Sequence, residues 1–152
     1  MRRLGIALVL VLGSLGCRPR AVASNTAGGA TSTEAVMLFV EASRRQDLQA
    51  MSMVWGNEES LTRDRVDRAE LERRLLIIVC HVRHDESRIG AAQLGEAGRV
   101  IHRVETVRGS RSATIPFTTV KNSRSGRWFV EDIDLRPARE ICNAEPVTRP
   151  VP

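Results

Sequence analysis

The sequence contains no tyrosine, and aromatic residues make up only 3% of its 152 residues. Proteins that bind single-stranded nucleic acid stack bases on aromatic side chains, so this chain lacks the platform that they need. It also has a single lysine, Lys121, and its arginines alternate with acids, as in residues 63–68. That alternation is typical of a solvated face rather than of a phosphate-binding strip. We therefore expect no nucleic acid partner.

The N-terminus lacks an apolar run long enough to span a bilayer. The run at residues 4–15 has about a dozen residues, whereas a transmembrane helix needs about 20. Arg2 and Arg3 precede this run, and a short apolar segment after a positive start is the pattern of a secretory signal. We expect residues 1–17 to be an export signal that is not part of the fold.

The end of this signal, Gly-Ser-Leu-Gly-Cys at residues 13–17, resembles the lipobox of bacterial lipoproteins. In that family, small residues precede a cysteine that is diacylated and becomes the new N-terminus. The resemblance implies lipidation of Cys17 and a membrane anchor on the periplasmic side of the bacterial cell envelope. Ser14 departs from the pattern, because the family prefers leucine three positions before the cysteine.

A second cleavage site offers an alternative to lipidation. Ala21-Val22-Ala23 is an A-x-A site whose use would cut before Ser24 and give a soluble periplasmic or secreted protein. The charges and the proline of residues 18–20 argue against it, because such residues seldom separate the apolar run from this kind of site.

Three cysteines are an odd number for an exported protein. Lipidation of Cys17 leaves Cys80 and Cys142, which we expect to form a disulfide in an oxidising compartment. Closing a loop of about 60 residues stabilises a domain by about 4 kcal/mol in the chain-entropy model. The alternative is that both thiols stay reduced and Cys80 is a small buried apolar residue.

The rest of the composition is that of an ordinary globular protein, with 42% hydrophobic and 27% charged residues. Without Arg2 and Arg3, 21 basic and 18 acidic residues remain, a net charge of +3. The length leaves room for one domain. We expect a flexible tether over residues 18–33, a single domain over 34–142 and a disordered proline-rich tail over 143–152.

The first half of the domain has apolar residues at helical spacing. Thr33 is placed to cap a helix that begins at Glu34, and Asp47 is placed to cap a short second helix. Gly56-Asn57 is the expected end of that second helix. A third helix is predicted over about residues 65–77.

The second half of the domain has a residue pattern that is typical of β-strands. A β-branched run predicts a strand over residues 77–83. Further strands are predicted over 87–94, 99–108, 111–121 and 127–135, and turns that contain glycine separate the last four. This order predicts an antiparallel meander with one buried face.

Two segments resemble the nuclear transport factor two-like superfamily, the cystatin-like α+β cone. One is the helical pair of residues 35–42 and 46–55, and the other is Gly-Arg-Trp-Phe-Val-Glu-Asp-Ile at 126–133, which is similar to the family's closing strand. The resemblance implies an α+β fold with three N-terminal helices packed on a curved antiparallel sheet of four to five strands. Members include isomerases, dehydratases, polyketide cyclases and lipoprotein-attached domains without known activity, so the fold does not choose a function.

No recognisable catalytic motif accompanies this pattern. His102 shares a strand face with Val100 and Val104, which favours a satisfied structural histidine, and a general base in the cavity is the alternative. Asp132 is the other candidate base. A pocket for an apolar ligand would be lined by the large side chains of the cavity together with His102, whereas core packing is the alternative. The residues expected at this pocket are Trp55, His102, Phe117 and Trp128.

The run at residues 81–85 contains donor types that suit zinc or iron, namely His81, His84 and Asp85. A spacing of three on a predicted strand places the two histidines on opposite faces. We therefore expect two partly solvated histidines, no metal site and no cofactor.

Together these patterns predict an exported, lipid-anchored domain that binds a small ligand or an envelope protein without catalysis. The alternative is a small cavity-based enzyme of the cyclase, isomerase or dehydratase type, with His102 or Asp132 as acid or base. A third possibility is a homodimer formed through the exposed face of the sheet.

Overall fold

The computed structural model of the chain describes residues 26–143. Within that range the protein is an α+β domain in which helices accompany an antiparallel sheet, as the sequence predicts. Several predictions fall outside the described residues: the export signal 1–17 with Cys17, the alternative cleavage before Ser24, the first part of the tether at 18–25 and the tail at 144–152.

Side chains cap the starts of the first three helices. Asp47 caps the second helix as predicted, and its carboxylate accepts the Ala50 N–H at 2.9 Å. The first helix begins at Ser32, two residues before the predicted start, because the Thr31 hydroxyl accepts the Glu34 N–H at 3.1 Å. The bounds are α1 Ser32–Arg44, α2 Leu48–Ser52, α3 Arg68–Val82 and α4 Arg139–Cys142.

Helix α3 includes residues 77–82, so the strand predicted there is wrong. Four apolar residues of α3 are buried at helical spacing, and they pack in the core: Leu75, Ile78, Val79 and Val82. Burial of this face outweighs the β-branched preference of the run, because intrinsic propensities are weak compared with tertiary packing. Asp67 caps the start of the helix by accepting the Glu70 N–H at 3.0 Å.

The sheet has the strand order β1-β3-β4-β5, with β2 beside β3 on the same edge as β1. The predicted strand 87–94 is therefore two short strands separated by residues 90–92. The bounds are β1 Glu86–Ile89, β2 Gln93–Leu94, β3 Val100–Arg108, β4 Arg111–Lys121 and β5 Trp128–Ile133.

The helices cover one face of this sheet and form the core with it. His102 pairs with Phe117 and Val104 with Ile115 across β3 and β4, and all four side chains are buried. Phe39 of α1 meets Phe117 edge to face, with ring centroids 6.1 Å apart. This row fills the space between the sheet and α1.

The free edge of β5 is covered by backbone from elsewhere in the chain. Gly29 and Trp128 exchange two N–H···O bonds of 2.8 and 2.9 Å, so the described end of the predicted tether belongs to the fold. Val130 donates to the Val54 carbonyl at 2.9 Å and accepts the Gly56 N–H at 3.0 Å. Unpaired strand edges invite pairing with other chains, and these segments prevent it along Trp128 and Val130.

A disulfide joins Cys80 of α3 to Cys142 of α4 across a sequence separation of 62 residues, which confirms the predicted pairing. The fully buried side chain of Ile141 also holds α4 against the core. Disulfides persist in oxidising compartments, so the bond is compatible with an extracellular or periplasmic location. None of the helices within residues 26–143 combines the length and the apolar character needed to cross a bilayer.

Candidate functional site

The outward face of α3 carries two large apolar side chains that the core does not cover. Leu76 is 53% exposed and Ile77 is 52% exposed, although both lie in the middle of the helix. The neighbouring Leu75 and Ile78 are buried, so α3 is apolar on both its inner and its outer side. We call Leu76 and Ile77 the α3 ridge.

A groove of about 560 Å³ lies along one side of the ridge. Its apolar lining consists of Ala69, the two ridge residues and the Cys80–Cys142 disulfide. Ala69, Leu76 and Cys80 are seven and four positions apart, so they form one stripe along the helix, and Ile77 lies beside it. We call this the first groove.

Three charged or titratable residues form the rim of the first groove: Glu72, Arg73 and His81. Arg73 and Arg74 both bind Glu70, and their hydrogen bonds lower the pKa of the Glu70 carboxyl. Glu72 forms no ion pair within residues 26–143. The rim thus offers a carboxylate without a charged partner of its own.

His81 has one ring nitrogen already engaged. Its Nδ1 lies 2.8 Å from the Ile77 carbonyl oxygen. A carbonyl only accepts, so Nδ1 carries the hydrogen and donates it, which leaves Nε2 as the position open to another molecule.

A second groove, of about 220 Å³, lies beyond Ile77 on the side of β5. Trp55, Ile78 and Leu135 contribute apolar surface to it, and Arg74 and Asp132 contribute charge. Ile77 lines both grooves, so the ridge separates two neighbouring depressions. We call this the second groove.

His102 is a core histidine in this structure. Its side chain has no exposed surface, its Nε2 lies 3.1 Å from the Ser32 hydroxyl, and its Nδ1 lies 3.5 Å from the Gly90 carbonyl oxygen. Because the carbonyl only accepts, Nδ1 carries the hydrogen and Nε2 accepts from Ser32. The imidazole therefore connects the start of α1 to the segment after β1.

The four residues expected at one pocket are not gathered around an opening. His102 and Phe117 are fully buried, since Phe39 packs against this part of the sheet, so they cannot line an accessible cavity. Trp55 lines the second groove, and Trp128 is half-buried beside Gly29.

The two candidate bases are also separated. His102 shares the inner face of the sheet with Phe117, which pairs with Ile133 of β5. Asp132 is exposed and pairs with Thr118, the residue that follows Phe117 in β4. Adjacent positions of a strand point to opposite faces, so Asp132 lies on the face opposite His102. The structure does not bring His102 and Asp132 together.

The histidines at the end of α3 differ from the prediction. His81 belongs to the helix and is half-buried, whereas His84 follows the helix and is only 5% exposed. The expectation that both are partly solvated is therefore wrong for His84, whose Nδ1 donates to the Val82 carbonyl at 2.9 Å. In the part of the chain that the structure describes, no cluster of three His, Cys, Asp or Glu residues could hold a metal ion.

The sequence does not reveal the α3 ridge when the β-branched residues 77–83 are taken as evidence for a strand. A usable signal is present, since Ala69, Arg73, Leu76 and Cys80 are spaced by four, three and four residues, which is a helical stripe.

Comparison with protein-family models, with curated proteins and with solved structures finds no match to this chain.

Proposed function

We propose that this chain is an exported, lipid-anchored domain that binds an envelope protein, without catalysis, through the α3 ridge and its two grooves. The observation that carries the proposal is the half-exposure of Leu76 and Ile77 between two depressions. Protein-binding surfaces commonly combine an apolar centre with a charged rim. Glu72, Arg73 and His81 supply such a rim here.

A protein partner suits this surface better than a small ligand. Small-molecule sites enclose most of the surface of the ligand, whereas the ridge projects outward between two open grooves. A helix or an extended segment of a partner can place its side chains in both grooves and cover Leu76 and Ile77 at once.

The proposal includes the nuclear transport factor two-like cone as the fold family. Its support is the element order, in which α1, α2 and α3 precede the antiparallel strands. A register shift between Thr118 and Thr119 of β4 adds to it, because a bulge bends a strand and helps a sheet to curve around helices.

The lipid anchor is supported by the signal at residues 1–17 and by the disulfide, which suits an exported protein. Intact mass spectrometry of the full chain produced in a bacterial host, compared with Cys17→Ser, tests it. We expect a diacylated species that begins at Cys17 and is missing from the variant. A lipid-free chain that begins at Ser24 would show that the protein is soluble.

The binding role is tested by photo-crosslinking of the full-length protein in the cells that naturally produce it. A photoreactive amino acid at position 76 should give a discrete protein adduct. The matched control carries the same group at position 94, because Leu94 is 93% exposed on β2 and belongs to neither groove. Equal adducts at both positions would contradict the proposal.

Catalysis by His102 or Asp132 is not part of this proposal. His102 has no accessible surface, and Asp132 lies on the other face of the sheet. A substrate could not contact both side chains at one place in this structure.

A further inference from the structure

We propose that the end of the domain that carries Leu94 lies on the phospholipid membrane and that Leu94 inserts between the lipid headgroups. This inference rests on the proposed lipid anchor at Cys17 and specifies which surface of the domain faces the bilayer. The observation that carries it is the 93% exposure of Leu94 at the end of the sheet where the chain from the anchor enters the fold.

Leu94 and the first described residues lie at one end of the sheet. Leu94 pairs with Val100 at the start of β3, which lies beside the end of β4. Trp128 pairs with the last residue of β4 and exchanges two hydrogen bonds with Gly29. The strands from β2 to β5 are neighbours at about 4.8 Å per step, so Leu94 is about 14 Å from Trp128 across this end. The chain that leads to Cys17 therefore enters the domain at the end that carries Leu94.

The chain between the anchor and the domain is short. Thr26 follows Cys17 by nine residues, which cannot span more than about 32 Å at about 3.6 Å per residue. Strand β4 has 11 residues and is about 33 Å long at about 3.3 Å per residue. The opposite end of the sheet, at the turn Gly109-Ser110, can therefore reach the membrane only if the whole connecting chain is stretched along the domain. The end that carries Leu94 reaches it without that stretching.

Leu94 belongs to a loop with little charge. Residues 90–98, which we call the apolar loop, contain one charged residue, Glu96. Within residues 26–143, Leu94 is the most exposed of the large apolar side chains. Such a side chain leaves water when it enters the boundary between the lipid headgroups and the acyl chains. Four side chains of the loop are both apolar and exposed: Ala91, Ala92, Leu94 and Ala97.

The hairpin between β4 and β5 places basic side chains at the same end. Lys121 and Arg124 are exposed, and neither forms an ion pair within residues 26–143. Ammonium and guanidinium groups bind phosphate oxygens, which phospholipid headgroups carry. The exposed acids Glu59 and Glu96 lie near this end as well, so the local charges balance and the contact does not require an anionic lipid.

Fluorescence quenching tests the inference with the full-length protein, produced in a bacterial host and reconstituted in phospholipid vesicles. A fluorescent amino acid at position 94 should lose fluorescence when the lipid acyl chains carry bromine as a quencher. The matched control carries the same group at position 110, because Ser110 is exposed in the turn at the opposite end of the sheet. The control should keep its fluorescence.

Intact mass and co-sedimentation with the vesicles report on the anchor in the same samples. A diacylated protein that sediments with the vesicles but is quenched equally at both positions, or at neither, would overturn the inference and leave the anchor intact. A lipid-free chain that stays in solution would overturn the anchor and, with it, this orientation of the domain.

A substitution tests the role of the Leu94 side chain. With the fluorescent group at position 92 of the apolar loop, we expect Leu94→Asp to lower the ratio of docked to undocked protein by about tenfold, the lower end for the loss of one buried leucine. Met37→Asp is the matched control and should leave the quenching unchanged, because Met37 is 52% exposed on α1, outside the apolar loop. Equal quenching with aspartate or leucine at position 94 would show that Leu94 does not insert.

Discussion

The contact between His102 and Ser32 connects the sheet to the first residue of α1. The fully buried imidazole packs in the core, and each of its two ring nitrogens has a hydrogen-bond partner, one a hydroxyl and the other a carbonyl. At the scale of single residues, such contacts decide which substitutions the fold tolerates.

Replacement of His102 by alanine should therefore destabilise the protein. We expect a loss of about 3 kcal/mol in the free energy of unfolding, because a cavity forms and the Ser32 hydroxyl loses its acceptor. Urea denaturation followed by circular dichroism measures it. Ser32→Ala is the matched control, with an expected loss of about 1 kcal/mol. Equal stability of His102→Ala and the wild type would contradict the buried placement.

Gly29 should tolerate no side chain, since a Cβ at this position would contact the backbone of Ala35 in the first turn of α1. We expect Gly29→Ala to cost about 2 kcal/mol, in the range for overpacking of a tight contact. Gly109→Asn is the control, because Gly109 has open space and a φ of +59° that asparagine accepts. Thermal melts of the two variants test this prediction. Equal melting temperatures would contradict the close approach of Gly29 to the Ala35 backbone.

Asp134 gives a prediction for the dependence on pH. Hydrogen bonds from Arg136 lower the pKa of Asp134 to about 2, below its ordinary value of 3.8. A lowered pKa in the folded state contributes stability that is present at neutral pH and is lost as the pH falls toward 2. Asp134→Asn should thus lower the melting temperature at pH 7 but not at pH 2. A difference in melting temperature between the wild type and the variant that is the same at both pH values would contradict this prediction.

At the scale of elements, the features that the sequence predicts best are those with a local cause. The Asp47 cap depends on the next three residues, and the turns after Arg108 and Lys121 contain glycines that a hairpin needs, so short segments predict them. Residues 77–82 combine a β-branched run with a helical stripe that continues to Cys80, and burial of their inner face in the core decides in favour of the helix. The α3 ridge was hidden by the same ambiguity, while the Cys80–Cys142 pair followed from counting cysteines.

The disulfide joins two elements of very different length, since α3 has 15 residues and α4 has four. Replacing both Cys80 and Cys142 by alanine should cost about 3 kcal/mol by chemical denaturation, within the range for removal of a disulfide that closes a long loop. Ile141 remains buried and should keep α4 on the core at neutral pH. The variant with Cys17→Ser alone is the control, and its unfolding midpoint should not change. A double variant with unchanged stability would contradict the role of the bond.

At the scale of the whole molecule, α1 contacts the core side of the sheet, while the segments before α1 and after α2 cover the edge of β5. Helices and strands therefore share one buried cluster, which includes Phe39, Leu75, Phe117 and Val130. A shared core of this kind favours a single cooperative transition.

We expect the helices and the sheet to unfold together. Far-ultraviolet circular dichroism reports mainly on the helices. Tryptophan fluorescence reports on Trp55, which pairs with Val130 of β5, and on Trp128, which belongs to β5. The two midpoints in urea should coincide within error for the full-length chain. Separate transitions would contradict a single shared core.

The backbone segments along Trp128 and Val130 also limit how copies of this protein could be joined through their sheets. Linear growth by strand addition needs two open edges in every copy, one to receive a neighbour and one to offer to the next. Here the β5 side is occupied by the chain itself, and the opposite side is formed by the short strands β1 and β2. Joining two copies at that opposite side would use up both open edges, so a pair cannot extend into a filament.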